Sequence, residues 1–158
     1  MTYTKHLDSP VGLLRLVATA NGLSEVQFEQ DGEIGHHHDD HQLLAEAETQ
    51  LLEYFAGQRR EFDIELDISQ GTEFQLAAWQ ALAEVPYGET RTYRQQAEAV
   101  GRPKAVRAIG SANGKNPISI ILPCHRIIGS DGSLTGYGGG LSTKEFLLNH
   151  EKAHLNRM

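Results

Sequence analysis

A single cysteine, Cys124, stands in 158 residues, so no internal disulfide can staple the fold and nothing requires an oxidising compartment. No apolar run approaches the roughly 20 residues that a membrane-spanning helix needs. The first residues, MTYTKHLDSP, have neither the basic start nor the hydrophobic centre of a secretory signal. A cytoplasmic chain without membrane contact is the expectation. Positive charge is also scarce: 14 Lys and Arg against 21 Asp and Glu leave a net of −7, which taken as an average argues against a nucleic-acid binder.

The average hides a split. Residues 1–90 hold four Lys or Arg against 17 Asp or Glu, whereas residues 91–158 hold ten against four. The first half is a solvated acidic body and the second can face phosphates. Within residues 91–126 the basic side chains are Arg91, Arg94, Arg102, Lys104, Arg107, Lys115 and Arg126, with Glu98 the sole acid. A solvated helix face usually mixes signs, so this bias points to an anionic partner. At 39% apolar and 22% charged residues, the chain can bury the core of one ordinary domain or two small ones.

Residues 3–29 read as strands, with Asn21-Gly22 as a hairpin signal. Residues 31–41, DGEIGHHHDDH, form a polar loop; its consecutive histidines lack supporting partners, and no metal site is expected there. Leu43, Leu44, Ala47, Leu51, Leu52 and Phe55 recur at helical spacing, ending near Gly57. Phe62, Ile64, Leu66 and Ile68 alternate with acids as a half-exposed strand, and Ser69-Gln70-Gly71 is the expected linker. The expected boundaries are therefore 1–70 and 71–158.

Thr72 with Gln75, and Thr92 with Gln95, are capping boxes that open two helices. The short helix after Thr92 closes at Gly101, and a second runs from about Pro103 to Ala112. Two short helices across a glycine-containing turn read as helix-turn-helix. Ala105, Ala108 and Ser111 keep the second helix slim, which suits a groove in DNA or a tight core. Ser142 with Glu145 reads as the cap of a last helix. Between these helices, Ile118, Ile120, Ile121 and Leu122 read as a buried strand that delivers Cys124 to a turn. A lone cysteine can be a small buried hydrophobe; presented this way it can also be a nucleophile. His125 is adjacent, and adjacent side chains diverge, so proton transfer through one water with a carboxylate partner is the expected geometry.

Several motifs occur together: PCHR at 123–126, GYGGGL at 136–141, K-x-x-LL-x-HE at 144–151, FQLAAWQALAEVPYGETRTY at 74–93 and GRPKAVRAIGSA at 101–112. In this order they resemble the O6-alkylguanine-DNA alkyltransferases, over about residues 72–151. The resemblance implies an α+β protein: a small ribonuclease H-like N-terminal scaffold domain, then a mainly helical, winged-helix-like domain with the helix-turn-helix. It implies direct, irreversible and stoichiometric transfer of an alkyl group from O6 of guanine, with O4-alkylthymine as a second candidate, to Cys124. It assigns His125 and Glu151 to proton relay, Asn116 to the turn before the cysteine, and Tyr137 to protonation of the departing base. Arg107 matches the finger that replaces the extruded nucleotide, and Tyr93 the tyrosine beside the 3′ phosphate. Arg94, Arg126, Ala105 and Ser111 are further expected DNA contacts. Pro123, Gly138, Gly139 and Leu141 are the expected pocket, Gly138 standing where relatives often carry serine or alanine. Duplex DNA carrying O6-alkylguanine is the expected partner of a monomer; no cofactor and no metal are expected, and the zinc cysteines of some relatives have no counterpart. A non-catalytic lesion binder, a helix-turn-helix regulator and a cysteine hydrolase are the alternatives.

Overall fold

The computed structural model of the chain describes residues 1–29 and 38–156. Three antiparallel strands, β1 (Tyr3–Ser9), β2 (Gly12–Thr19) and β3 (Gly22–Phe28), form a sheet in sequence order. Thr19 pairs with Gly22, so the hairpin turns on Ala20-Asn21, one residue earlier than the Asn-Gly signal suggests. Helix α1 (Gln42–Phe55) lies against this sheet through Leu44, Ala47, Leu51 and Tyr54. The buried stripe is displaced from the expected one: Leu52 is 46% exposed, and Tyr54 is fully buried.

The expected strand over 62–68 forms only one parallel bridge, Leu23 to Leu66. A side chain on Gly22 would lie 2.8 Å from the Leu66 carbonyl carbon. Leu23 holds the segment from both sides, its amide donating to the Glu65 carbonyl and its carbonyl accepting from the Asp67 amide, each at 2.8 Å. The segment's alternation still reports burial, since Phe62, Ile64, Leu66 and Ile68 pack on the core. His36 and His37 of the histidine-rich loop lie outside the described residues. His41 serves as the N-cap of α1, its Nδ1 accepting from the Leu43 amide at 3.1 Å.

The second half begins as expected. Thr72 and Thr92 each close a complete capping box, opening α2 (Glu73–Ala83) and α3 (Tyr93–Ala99). Helix α4 (Val106–Gly114) follows after the turn, starting about one turn later than Pro103. Ala78, Ala97, Ile109 and Ala112 make a small core among α2, α3 and α4. Two polar locks sit beside it. Trp79 Nε1 donates to the Ala112 carbonyl at 2.9 Å, and the amides of Gln96 and Asn113 exchange hydrogen bonds at 2.9 and 2.8 Å. Such satisfied buried networks fix the angle between helices as apolar contacts alone do not. Parallel strands β4 (Arg91–Thr92) and β5 (Ile127–Ile128) join the start of α3 to the chain just after Cys124.

Residues 118–122 do not form the expected strand. Ile118 makes one bridge to Val26, after which the Leu122 amide turns back to the Ile118 carbonyl at 2.9 Å. Ile120, fully buried, takes φ +74°, a left-handed conformation rare for a β-branched residue. The run is apolar because it is buried, and it is a coil of tight turns ending in the 3₁₀ turn Cys124–Arg126. Helix α5 (Leu141–His154) completes the fold. Its N-cap is Gly140 at φ +92°, so Ser142 falls inside the first turn and the Ser142/Glu145 box does not form.

Thr92 caps the helix whose first residue is Tyr93. Replacing it with alanine is expected to cost about 1 kcal/mol of stability, read as a fall in melting temperature of roughly 2–4 °C. An unchanged melting curve would show that the cap contributes nothing.

Candidate active site

Cys124 opens the 3₁₀ turn, half-buried and free. Asn116 holds the loop behind it. Its side-chain oxygen accepts from the Ile118 amide at 3.0 Å while its nitrogen donates to the Leu122 carbonyl at 2.8 Å. The nearby Asn116 side chain favours the thiolate, as do the charge of Lys144 and the backbone. Burial is the stronger influence and pushes the Cys124 thiol above its ordinary range. At rest the sulfur is a thiol.

The neighbouring histidine sits beside a carboxylate. His125 is fully buried, with Nε2 2.7 Å from Glu151 Oε2. Burial holds its pKa below the ordinary value, outweighing the opposite pull of Glu151. Burial alone would raise the pKa of Glu151. Hydrogen bonds and charge from His125, then Arg126, instead hold it far below the usual carboxylate range. An ionised Glu151 requires the imidazole hydrogen on Nε2. Nδ1 is then a bare acceptor, buried and without a hydrogen-bond partner among the described residues.

Arg126 is corrected by the structure. It is 6% exposed; its Nε and one terminal nitrogen donate to the two Glu151 oxygens, each at 2.9 Å, and the other donates to the Val85 carbonyl at 2.7 Å. Every reach of the guanidinium ends inside the protein, so it is no DNA contact. Sequence reasoning counted it among the basic side chains because charge does not report burial.

Cys124 lines a cavity of about 520 Å³ together with Tyr93, Val106, Arg107, Tyr137 and Gly138. That volume lies within the roughly 300–1,000 Å³ of small-molecule pockets. Arg94, Arg107 and Ser111 are exposed on α3 and α4, and Ala105 is half-exposed at the α4 N-cap. Among the expected pocket residues, only Gly138 lines this cavity. Pro123 is buried and borders a separate cavity of about 580 Å³ beside Tyr87. Gly139 packs against Phe28, whose ring would stand 2.9 Å from an added side chain. Leu141 is 50% exposed at the start of α5.

Among the described residues, the buried Tyr137 hydroxyl has no hydrogen-bond partner. Burial, then the nearby Cys124 and Glu151 charges, push its pKa well above the ordinary range, so it keeps its proton. Lys144, Thr135 and Tyr54 complete the surroundings, and sequence reasoning gave none of them a role. Lys144 Nζ donates to the Thr135 carbonyl at 2.8 Å and lies 5.8 Å from the centre of the Tyr93 ring. Burial lowers its pKa, against the opposing influence of Cys124. A usable signal existed: Lys144 precedes Glu151 by seven residues, two helical turns on one face.

Acidification is expected to weaken the fold in two stages. The folded pKa of His125 lies below the 6.5 of an ordinary histidine, so its contribution is complete above pH 6.5 and is lost as pH falls from there through the lower folded value. Glu151 departs downward from 4.5, so its contribution is present above pH 4.5 and disappears on further acidification. Denaturant midpoints measured from pH 8 to pH 3 would show both declines; a flat profile from pH 7 to pH 5 would contradict the first.

Two family models match the chain: the 6-O-methylguanine DNA methyltransferase ribonuclease-like domain over residues 1–68, and the DNA binding domain of the same family over residues 73–153. A methylated-DNA–protein-cysteine methyltransferase of Methanosarcina barkeri is 46% identical over 157 residues, covering 97% of this chain and 99% of the relative. The protein of that name from Mycobacterium tuberculosis is 47% identical over 156 residues, covering 97% and 94%. A crystal structure of M. tuberculosis OGT in complex with DNA superposes with a TM-score of 0.87 at 46% identity, covering 96% of this chain and 94% of that one. With both halves matched by one family and full-length relatives at this identity, the chain belongs to the 6-O-methylguanine DNA methyltransferases.

Proposed function

We propose that the protein repairs O6-alkylguanine in duplex DNA by moving the alkyl group onto Cys124, acting once per molecule and without a cofactor. One observation carries the reading: the sulfur and the helix-turn-helix border the same cavity, with Arg107 and Tyr93 among its walls. A base stacked in a duplex is out of reach of a protein thiol, so the nucleotide must be rotated out. Arg107, exposed on α4, takes the place of the extruded base, and Tyr93 crowds the phosphate on its 3′ side. The small outward residues Ala108, Ser111 and Gly114 let α4 approach the groove. Arg94, Arg102, Lys104 and Lys115, all exposed, face the phosphates.

With the base in the cavity, the thiol proton passes through one water to Nδ1 of His125. The thiolate sulfur bonds to the alkyl carbon as the bond from that carbon to O6 breaks, and the released electron pair stays on the guanine. Tyr137 donates a proton to the departing base, and its phenolate is reprotonated at the expense of the imidazolium. The products are guanine and a thioether on Cys124. A thioether offers no leaving group, so the protein does not return to its starting state.

Glu151 orients the imidazole and stabilises its charged form, as a carboxylate does in other nucleophile and base pairs. Gly138 leaves its side of the cavity open, since an added side chain would meet nothing within 4 Å. Bulky alkyl groups are therefore admitted. The protein acts in the cytoplasm as a monomer, with residues 1–70 as scaffold and residues 71–158 as the DNA-binding and transfer domain.

Incubation with O6-benzylguanine, or with a duplex carrying O6-methylguanine, is expected to add one alkyl mass to the intact protein, and none to a Cys124→Ala variant. Repeated turnover at unchanged mass would indicate a hydrolase, and DNA binding without an adduct a lesion reader. Arg107→Ala is expected to slow transfer from the duplex by about tenfold or more, on the order of 1.4 kcal/mol, while leaving the rate with free O6-benzylguanine within about twofold. An equal loss on both substrates would place Arg107 in the chemistry or the fold instead.

A further inference from the structure

The relay of Cys124, His125 and Glu151 comes from the second half of the chain, yet its carboxylate also receives a donor from the first. Tyr54 stands in the last turn of α1, fully buried. Its hydroxyl donates to Glu151 Oε2 at 2.6 Å, the same oxygen on which His125 Nε2 rests at 2.7 Å. The phenol is held from several sides. The rings of Phe55, Phe62, Tyr87 and His150 lie 5.2, 5.7, 6.1 and 5.2 Å from it, centre to centre. His150 Nε2 also donates to the Tyr54 carbonyl at 2.8 Å. Two consecutive residues of α5 thus bind one residue of α1, His150 its main chain and Glu151 its hydroxyl.

A buried phenol needs an acceptor, and a backbone carbonyl would serve. Here the acceptor is the carboxylate that orients the general base, which changes what the contact does. Each donor on a carboxylate stabilises its ionised form and lessens its pull on any other proton. Oε2 is shared by Tyr54, His125 and Arg126, and Oε1 receives Arg126 and the Gly88 amide at 3.4 Å. Tyr87 adds an influence from the turn after α2, with Arg60 beside its ring, and Lys144 bears on His125 and Cys124 from α5. Within this set Tyr54 is the one contribution of α1, and its phenol, pushed well above its ordinary range by burial and then by Glu151, stays a donor.

We propose that Tyr54 is a positioning residue for alkyl transfer: its hydroxyl fixes the Glu151 carboxylate and limits how tightly that carboxylate holds the His125 proton, so the N-terminal domain sets the pH at which the thiol is activated. The role rests on the relay described above. It assigns the N-terminal half a part in the chemistry without any contact between that half and the reacting atoms.

The test is the rate of benzyl transfer from free O6-benzylguanine, followed by intact mass from pH 5.5 to pH 9, for the full chain, Y54F, E151Q and the double variant. Without the hydroxyl, Glu151 attracts the imidazole proton more strongly and the acidic limb moves to higher pH. Y54F is expected to react about 3- to 10-fold more slowly at pH 6 and within about twofold of the parent above pH 8, a displacement of up to one pKa unit. In the E151Q background the same change should alter nothing further. A Y54F profile that coincides with the parent, or falls by one factor at every pH, overturns the proposal, as do effects that multiply in the double variant. If E151Q fails to fold, the Y54F profile decides alone. An E151Q rate equal to the parent's removes the relay itself, and the role of Tyr54 with it.

Discussion

The Glu151 carboxylate is the point on which the rest of the structure depends. It is 1% exposed, and an ion taken out of water costs several kcal/mol unless its surroundings replace the lost hydration. Here they do so with four donor residues from three places: α1 through Tyr54, the turn after α2 through Gly88, and the 3₁₀ turn through His125 and Arg126, all meeting a residue of α5. Elements far apart in the chain are brought together because one charge needs all of them. A packed apolar core tolerates small adjustments of this kind of geometry; a shared ion does not, since losing one donor leaves charge uncompensated.

Around that fixed point, the site keeps its nucleophile quiet. Burial raises the thiol and lowers the imidazole, so both are neutral at rest. A protonated, half-enclosed sulfur reacts slowly with casual electrophiles and oxidants, because the thiolate is the reactive form. Asn116 and Lys144 favour the anion without overcoming burial. Activation therefore belongs to the moment when a substrate fills the cavity and the proton moves.

What the residues disclosed in advance was what acts over short distances. The boxes at Thr72 and Thr92 were legible because cap and partner are three residues apart, and both form. The α+β division, the helix-turn-helix and the placement of Cys124 beside basic residues were legible from pattern and motif. The run Ile118 to Leu122 misled because apolar composition reports burial and says nothing of turns; Ile120 at positive φ has no local signature. Ser142 looked like a cap, but the tight glycine at 140 starts the helix earlier. Arg126 and Tyr54 owe their places to partners 25 and 97 residues away. No periodicity within either segment encodes such a meeting.

The uneven distribution of charge has a consequence for arrival. Seventeen carboxylates in the first 90 residues and ten cations in the remainder divide the charge unevenly along the chain, and Arg94, Arg102, Lys104, Arg107 and Lys115 are exposed on or beside α3 and α4. In the field of a polyanion such a body experiences a torque as well as an attraction. It is turned before it touches. A DNA repair protein thereby meets its substrate with those cations already turned towards it.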